Sequence, residues 1–207
     1  MKKPIFGLIA IAIILIFTSC AATYKRINPP HVRYPAAYSD SLFSYQYDVI
    51  RRAGNRKIAK KEIKANMNVV AVKIYNNTGQ PLEYGKNYRI YSGNTEASLL
   101  GPEITSDIIK QKAGFHFFYL LLLPTQLNTG ESVNGTTTSS SSFPLGLILA
   151  PALAIGNYAV ARTANKRFKD ELIDYDLERK VIAPGETAYA LITLRDNGKL
   201  PLSLKLK

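Results

Sequence analysis

The stretch of lowest charge in the chain, positions 113–161, sets the first expectation. Glu131 is its only formally charged side chain, although basic residues stand directly before it and after it. Two apolar runs, 114–123 and 143–156, flank a polar middle that contains Glu131 and is rich in serine and threonine. Apolar runs of this length, separated by a polar segment, predict a hairpin of two helical arms with a polar tip and a basic base.

Outside this stretch, apolar residues recur with the period of two that is typical of β-strands. Phe43, Tyr45 and Tyr47 alternate with polar residues up to Val49, which predicts a half-buried strand. The run 67–75 is nearly continuous in β-branched and apolar residues, so we expect a central strand that is covered on both faces. Further strands are predicted at 86–91, with Tyr88 and Ile90 inward, at 187–195 and at 202–206.

Turn signals predict how the strands connect. Asn197-Gly198 favours a type I′ turn, so 187–195 and 202–206 are expected to pair as a hairpin. Pro184-Gly185 suits the two central positions of a type II turn.

Two helices are expected beside the apolar stretch. Ser106 is a suitable N-cap, which predicts a short helix over 106–112. In the segment 165–180, Phe168, Leu172 and Tyr175 have helical spacing and are expected to face the core. The intervening residues Lys169, Asp170 and Glu171 are expected to face water.

Strand-rich segments at both ends of the chain, joined by short turns, predict a mainly β protein. The expected fold is an antiparallel β-sandwich, immunoglobulin-like, that is interrupted by an apolar helical hairpin insertion. Residues 41–105 would form the first half of the sandwich and 106–180 the helical and apolar insertion. Residues 181–207 would supply the C-terminal strands that complete the sandwich.

The N-terminus has the composition of an export signal. Lys2 and Lys3 precede an apolar segment, 5–17, and Phe17-Thr18-Ser19-Cys20 ends it with the single cysteine of the chain. This pattern resembles a bacterial lipoprotein signal. The resemblance implies removal of signal peptide 1–19 by cleavage between Ser19 and Cys20, and a lipid anchor that includes palmitate on Cys20. An uncleaved N-terminal anchor is the alternative. The proline-containing residues 20–40 are then expected to form a lipidated tether.

The basic surplus changes the expected partners. The formal net charge is +12, which in the cytosol would suggest nucleic acid. Export excludes that partner, and the acidic surfaces outside the cytoplasm are lipid phosphates, glycolipids and wall polymers. We therefore expect the charge to face a membrane, although a basic surface that meets only water fits equally well. The basic cluster 51–64 fits phosphate contact or, as we favour, a charged edge strand.

The two apolar arms form the candidate site. They fit three structures: a helical layer folded onto the sandwich, insertion into or across a bilayer, or a surface for self-association or for an envelope partner. Ala150, Ala154, Asn157, Ala161 and Ala164 share one face in helical register, which would let another element approach closely. The residues expected to contact a membrane are Phe115, Phe117, Phe118, Leu121, Leu147, Leu149 and Leu153.

The sequence points to a binding or anchoring function. It lacks a GxSxG motif, an HExxH motif, a phosphate loop and a paired set of cysteines and histidines, so we expect no enzyme, no cofactor and no metal site. The order of a strand, Asn-Asn-Thr-Gly at 76–79, the apolar insertion, Ala-Asn-Lys-Arg-Phe at 164–168 and Pro-Gly-Glu-Thr at 184–187 resembles uncharacterised exported bacterial lipoproteins.

The expected function follows from the anchor and the apolar hairpin. It is a non-enzymatic lipoprotein of the cell envelope, at the periplasmic face of the outer membrane, with a β-sandwich as interaction or scaffolding module. The apolar hairpin would contact the membrane or a partner. The alternative is a carrier of an apolar ligand such as a lipid, with the hairpin lining its cavity.

Overall fold

A computed structural model describes residues 20–35, 42–133, 136–196 and 198–207, with the backbone alone at 129–133 and 136–140. The predicted signal peptide 1–19 with Ser19, the tether residues 36–40 and Asn197 of the predicted hairpin turn lie outside the described residues.

The prediction of a mainly β protein is wrong. The chain is mixed α/β, with about 40% helix and 26% strand, and its sheets have two or three strands each and form no closed sandwich within the described residues. The helices are α1 (Val49–Arg52), α2 (Arg56–Lys64), α3 (Pro102–Ile109) and α4 (Leu145–Asp174), with 3-10 segments at Pro29–His31, Ala113–Leu122 and Leu177–Arg179. The strands are β1 (Phe43–Gln46), β2 (Asn68–Tyr75), β3 (Leu82–Glu83), β4 (Tyr88–Ser92), β5 (Thr95–Glu96), β6 (Leu127–Val133), β7 (Thr136–Phe143), β8 (Val181–Ile182), β9 (Thr187–Leu194) and β10 (Leu202–Leu206).

The chain divides into two compact units. The larger unit consists of Thr23–Gln111 and Ala164–Lys207, and the smaller unit of Lys112–Thr163 together with the described residues 20–22. All the strands except β6 and β7 belong to the larger unit, and helix α4 contributes residues to both units.

The larger unit is built around an antiparallel sheet of order β1-β2-β9, with β2 in the centre. Val70, Val72 and Ile74 of β2 belong to one buried cluster, which includes Tyr88 and Ile90 of β4. Val69 and Ala71, which alternate with them, belong to a second cluster formed mainly with helices. Because successive side chains of a strand point to opposite faces, β2 is covered on both sides. The predictions of a doubly covered strand at 67–75 and of an inward Tyr88 and Ile90 are confirmed.

The basic cluster 51–64 forms helices and not the edge strand that we favoured. Ile58, Ala59 and Glu62 are the buried positions of α2, and the lysines and arginines lie on its other faces. Positions i, i+1 and i+4 share one face of a helix, so this short buried stripe packs α2 against the sheet, with Glu62 hydrogen-bonded to the Val69 N–H. The charge pattern alone suggested an edge, because lysines protect edges as well as helix surfaces.

The predicted C-terminal hairpin is also wrong. Strand β9 pairs with β2 in the register Ala190 to Val72, whereas β10 pairs with β4 in the register Leu204 to Ile90. Leu202 is buried in the same cluster as Ile90. The Asn-Gly signal describes a local turn preference, but the partner of each strand is decided by which apolar face it can bury.

The predicted N-cap at Ser106 is wrong, whereas the predicted type II turn at Pro184-Gly185 is confirmed. Helix α3 begins four residues before the predicted N-cap, with Gly101 as N-cap and Pro102 in its first turn, and the Ser106 hydroxyl donates to the Glu103 carbonyl at 2.9 Å. Proline is favoured at that first position because its missing N–H would have no partner there.

The type II turn is confirmed, since Gly185 has φ 79° and the Glu186 N–H donates to the Ala183 carbonyl at 3.0 Å.

Glu171, which was expected to face water, is fully buried in the larger unit. Its carboxylate accepts hydrogen bonds from the Tyr24 hydroxyl at 2.6 Å, from the Ile27 N–H at 3.2 Å and from the Asn28 N–H at 2.8 Å. Burial, and then the hydrogen bond to Glu171, raise the pKa of Tyr24. The segment that the prolines marked as a tether is therefore attached to α4 from Tyr24 onward, and Tyr24 and Ile27 are core residues.

A second buried carboxyl group, that of Glu62, makes stability depend on pH. Its Oε1 accepts a hydrogen bond from the Val69 N–H at 2.7 Å. Burial raises the pKa of Glu62 from 4.5 to about 7 in the folded chain, and the hydrogen bond from Val69 opposes that shift. Between pH 4.5 and about pH 7, Glu62 is therefore protonated in the folded chain and ionised in the unfolded chain. The resulting stability is complete below pH 4.5 and is lost as the pH rises through about 7.

We predict that Glu62→Gln removes this loss. Between pH 5 and pH 8 the free energy of unfolding of the parent chain should fall relative to that of the variant by up to about 3 kcal/mol. Denaturant unfolding of the full chain in neutral detergent measures the difference. Glu103→Gln is the control, because Glu103 is exposed and its ion pair with Arg179 is long, at 3.7 Å. Equal pH profiles for the parent and Glu62→Gln would show that Glu62 is ionised in the folded chain throughout.

Candidate functional site

The candidate site is a set of exposed apolar side chains on the smaller unit. In the 3-10 segment Ala113–Leu122, His116 and Tyr119 are buried, and their rings are stacked with centroids 6.1 Å apart. Because residues i and i+3 lie above one another in a 3-10 helix, this pair occupies one edge and leaves the other edges outward. Phe118 is 64% exposed and Leu121 is 74% exposed.

Helix α4 provides the second part of the site. Ala150, Ala154 and Ala161 are buried, as expected for the stripe of small residues. Leu147, Ile148 and Leu149 are exposed. In its most apolar window, only 22% of the residues are buried. A core helix of a water-soluble domain would be mostly buried, so α4 resembles a core helix in composition but not in its surroundings.

The two apolar arms contact each other. The rings of Phe117 and Tyr158 lie 5.1 Å apart, and the Gly146 N–H donates to the Thr125 carbonyl at 2.9 Å. Between the arms, the segment expected to be a loop forms the hairpin β6–β7, in which Leu127 is opposite Phe143. Threonine and the other residues of β7 tolerate an extended backbone, so a polar sequence without helix formers can pair as strands.

The structure places six of the seven predicted contact residues on the exposed surface and Leu153 in a partly buried position. Sequence reasoning missed six further exposed residues, although all of them lie in or beside the same two apolar runs. We call the exposed side chains together the apolar surface. It consists of Phe115, Phe117, Phe118, Leu120, Leu121, Leu123, Leu127, Phe143, Leu147, Ile148, Leu149 and Ile155.

Basic and polar groups lie at one end of the apolar surface. Lys112 Nζ is 5.3 Å from the centroid of the Phe115 ring, and Arg162 Nη1 is 3.5 Å from the Tyr158 hydroxyl. Close to them, the Ala21 N–H donates to Asn157 Oδ1 at 2.7 Å. The polar side chain of Asn157 has partners for both of its groups, since its Nδ2 donates to the Leu153 carbonyl at 2.9 Å and its Oδ1 accepts from the Ala21 N–H.

The described residues give no support to a metal site. Across 20–35, 42–133, 136–196 and 198–207, no three His, Cys, Asp or Glu side chains come together in a way that could hold a metal ion. Within the same ranges, α4 is the one helix that is long and apolar enough to cross a membrane by length and composition. Comparison with protein-family models, with curated proteins and with solved structures finds no match for this chain.

Gly146 of α4 lies in close contact with the backbone at the end of the first arm, so a larger residue at this position should separate the arms. A Cβ atom at position 146 would overlap the Leu122 carbonyl oxygen and would lie 2.5 Å from the Leu123 carbonyl oxygen. Gly146→Ala should therefore separate the arms and speed hydrogen exchange of the amides of 115–123 by about tenfold or more, which corresponds to a loss of over about 1.4 kcal/mol.

Gly156→Ala is the matched control, since it lies in the same helix and a Cβ atom there would meet no atom within 4 Å. Alanine is the better helix former, so this variant should leave exchange unchanged or slow it. Exchange that is equal in the two variants would show that the contact at Gly146 does not hold the arms together.

Proposed function

We propose that this protein is a lipid-anchored envelope lipoprotein that inserts the apolar surface of its smaller unit into a bilayer. The observation that carries the proposal is the exposure of twelve large apolar side chains in a unit whose positions 145–161 contain no charged residue. Contiguous exposed apolar surface is rare on proteins that meet only water, and it usually marks contact with a membrane or a partner.

The charge pattern of α4 favours insertion over a position in the plane of the interface. An interfacial helix has a strongly charged face opposite its apolar face. From Leu145 to Ala161, α4 has no charged face, and its charged residues begin at Arg162. Lys112 and Arg162, at the same end of the surface, suit the headgroup region, where long basic side chains keep their charge in water.

The lipid on Cys20 would set the depth of insertion. Acyl chains on Cys20 place its backbone at the boundary between headgroups and hydrocarbon, and Ala21 is hydrogen-bonded to Asn157. Asn157 follows Leu145 by twelve residues, which is about 18 Å along an α-helix. Half of the hydrocarbon core is about 15 Å thick. A helix along the bilayer normal would therefore carry Leu147 and Leu149 close to the centre of the bilayer.

The larger unit is the proposed interaction or scaffolding module. The carrier function has weaker support, because the apolar side chains that would line a cavity are exposed in the smaller unit. Two pockets of the larger unit, of about 260 and 430 Å³, each have three or more charged residues in their lining beside apolar ones. A lipid tail needs an apolar cavity, so neither pocket suits one.

The lipid anchor is tested by metabolic labelling. Cells that express the full chain should incorporate radiolabelled palmitate into it, and Cys20→Ala should abolish the label because the acceptor thiol is absent. Ala22→Ser, two residues away, should keep the label. An unlabelled parent chain, or equal label on Cys20→Ala, would disprove the anchor.

Membrane insertion is tested with single tryptophans, since the chain contains none of its own. We expect the fluorescence of Phe118→Trp and Leu121→Trp, in lipidated full chain reconstituted into vesicles, to be quenched by phospholipids brominated deep in the acyl chain. Ile63→Trp is the matched control, because Ile63 is 60% exposed on α2 of the larger unit. If the first two variants are quenched no more than Ile63→Trp, the apolar surface lies outside the bilayer and is covered by protein.

A further inference from the structure

A pocket of about 260 Å³ in the larger unit collects three arginines from two separate parts of the chain. Arg26 and Arg33 stand on either side of the 3-10 segment Pro29–His31, and Arg52 is in the last turn of α1. The residues that line the pocket include His31 but no carboxylate. Arg52 was predicted to lie in a charged edge strand, but in the fold it lies beside the N-terminal segment.

The loop that carries Arg26 and Arg33 is held in place by buried contacts. Glu171 accepts hydrogen bonds from the N–H groups of Ile27 and Asn28, at 3.2 and 2.8 Å. The Tyr34 hydroxyl donates to the Pro29 carbonyl at 2.9 Å. The backbone between the two arginines is therefore fixed before any ligand binds, which lowers the conformational cost of binding.

The arginines are available to a ligand. Arg26 lies 3.6 Å from Asp174, but both side chains are more than half exposed, so water and salt weaken this ion pair. Neither Arg33 nor Arg52 forms an ion pair with a carboxylate of the described residues. Three arginines and no carboxylate in the lining give this pocket a positive potential, which favours an anion.

We propose that this pocket binds a phosphate group, either free or as the headgroup of a lipid. Guanidinium groups form paired hydrogen bonds with phosphate oxygens, and a tetrahedral phosphate offers enough oxygens for several arginines, whereas a planar carboxylate suits one. Ile27, Val49 and Ala53 supply apolar wall, which suits an organic group attached to the phosphate. The volume is below that of pockets for drug-sized ligands, so the pocket takes a headgroup and not a whole lipid.

The site involves only residues of the larger unit, so it stands or fails separately from the membrane contact of the smaller unit. Arg51 provides the matched control for Arg52, because it is the preceding residue of α1, is exposed and has the same charge, but does not line the pocket. A ligand held by diffuse charge would be affected equally by the loss of either arginine.

The test uses the full chain in neutral detergent, with inorganic phosphate as titrant in isothermal calorimetry. A second arm uses native mass spectrometry to compare retention of phosphatidic acid with retention of phosphatidylcholine from mixed micelles. We expect binding in at least one arm, reduced about tenfold or more in Arg33→Gln and in Arg52→Gln and unchanged in Arg51→Gln, because each lost arginine removes charge-assisted hydrogen bonds.

The two arms separate the two sources of phosphate. Binding of inorganic phosphate as well as phosphatidic acid assigns a free-anion site, and retention of phosphatidic acid alone assigns a headgroup site. Arg52→Lys, which keeps the charge but not the paired donors, should recover only part of the affinity. Absence of binding in both arms would overturn the proposal, and so would equal losses in Arg51→Gln and Arg52→Gln.

Discussion

The buried carboxylate of Glu171 is the interaction on which the arrangement of the larger unit depends. A carboxylate removed from water is costly unless hydrogen bonds replace its hydration, and Glu171 accepts three, from Tyr24, Ile27 and Asn28. All three donors belong to the short segment that follows Cys20. The same contact therefore fixes the N-terminal segment on α4 and shapes the loop that carries two of the pocket arginines, and neither feature would persist if the carboxylate were replaced by an apolar group.

Helix α4 changes from uncharged to charged surroundings along the chain at Arg162, close to the boundary between the two units. After it, Phe168 and Leu172 pack against the central sheet with polar residues between them, the ordinary pattern of an amphipathic helix. Before it, exposed and buried positions are alike uncharged. Ala150, Ala154 and Ala161 are buried, whereas the larger side chains of Leu147, Ile148, Leu149 and Ile155 are exposed. In water this arrangement would be inverted, because large apolar side chains gain most from burial. The arrangement suits a solvent that is itself apolar.

The parts of the fold that were predictable are those in which a local pattern has one physical outcome. The nearly continuous β-branched and apolar run 67–75 predicts a doubly covered strand. The leucines and phenylalanines of the two apolar arms are predicted as contact residues because no charged side chain interrupts either run. Prediction failed where one pattern serves two structures or where the outcome depends on distant residues. Lysines protect an edge strand and also cover a helix such as α2, and an Asn-Gly pair cannot specify that β10 will bury Leu202 beside Ile90. The burial of Glu171 depends on donors more than 140 positions away.

Charge favours lipid over a second copy of the chain as the proposed cover of the apolar surface. In a symmetric dimer the same patch meets itself, and where equal ends meet, the basic rims of the two patches face each other. The rim here contains Lys112 and Arg162, and two like-charged rims repel at an interface. A bilayer presents hydrocarbon to the apolar side chains and phosphate to the basic rim, and the attraction is about 1 kcal/mol for each basic residue near an anionic membrane. The basic rim, which opposes a symmetric dimer, therefore favours a bilayer.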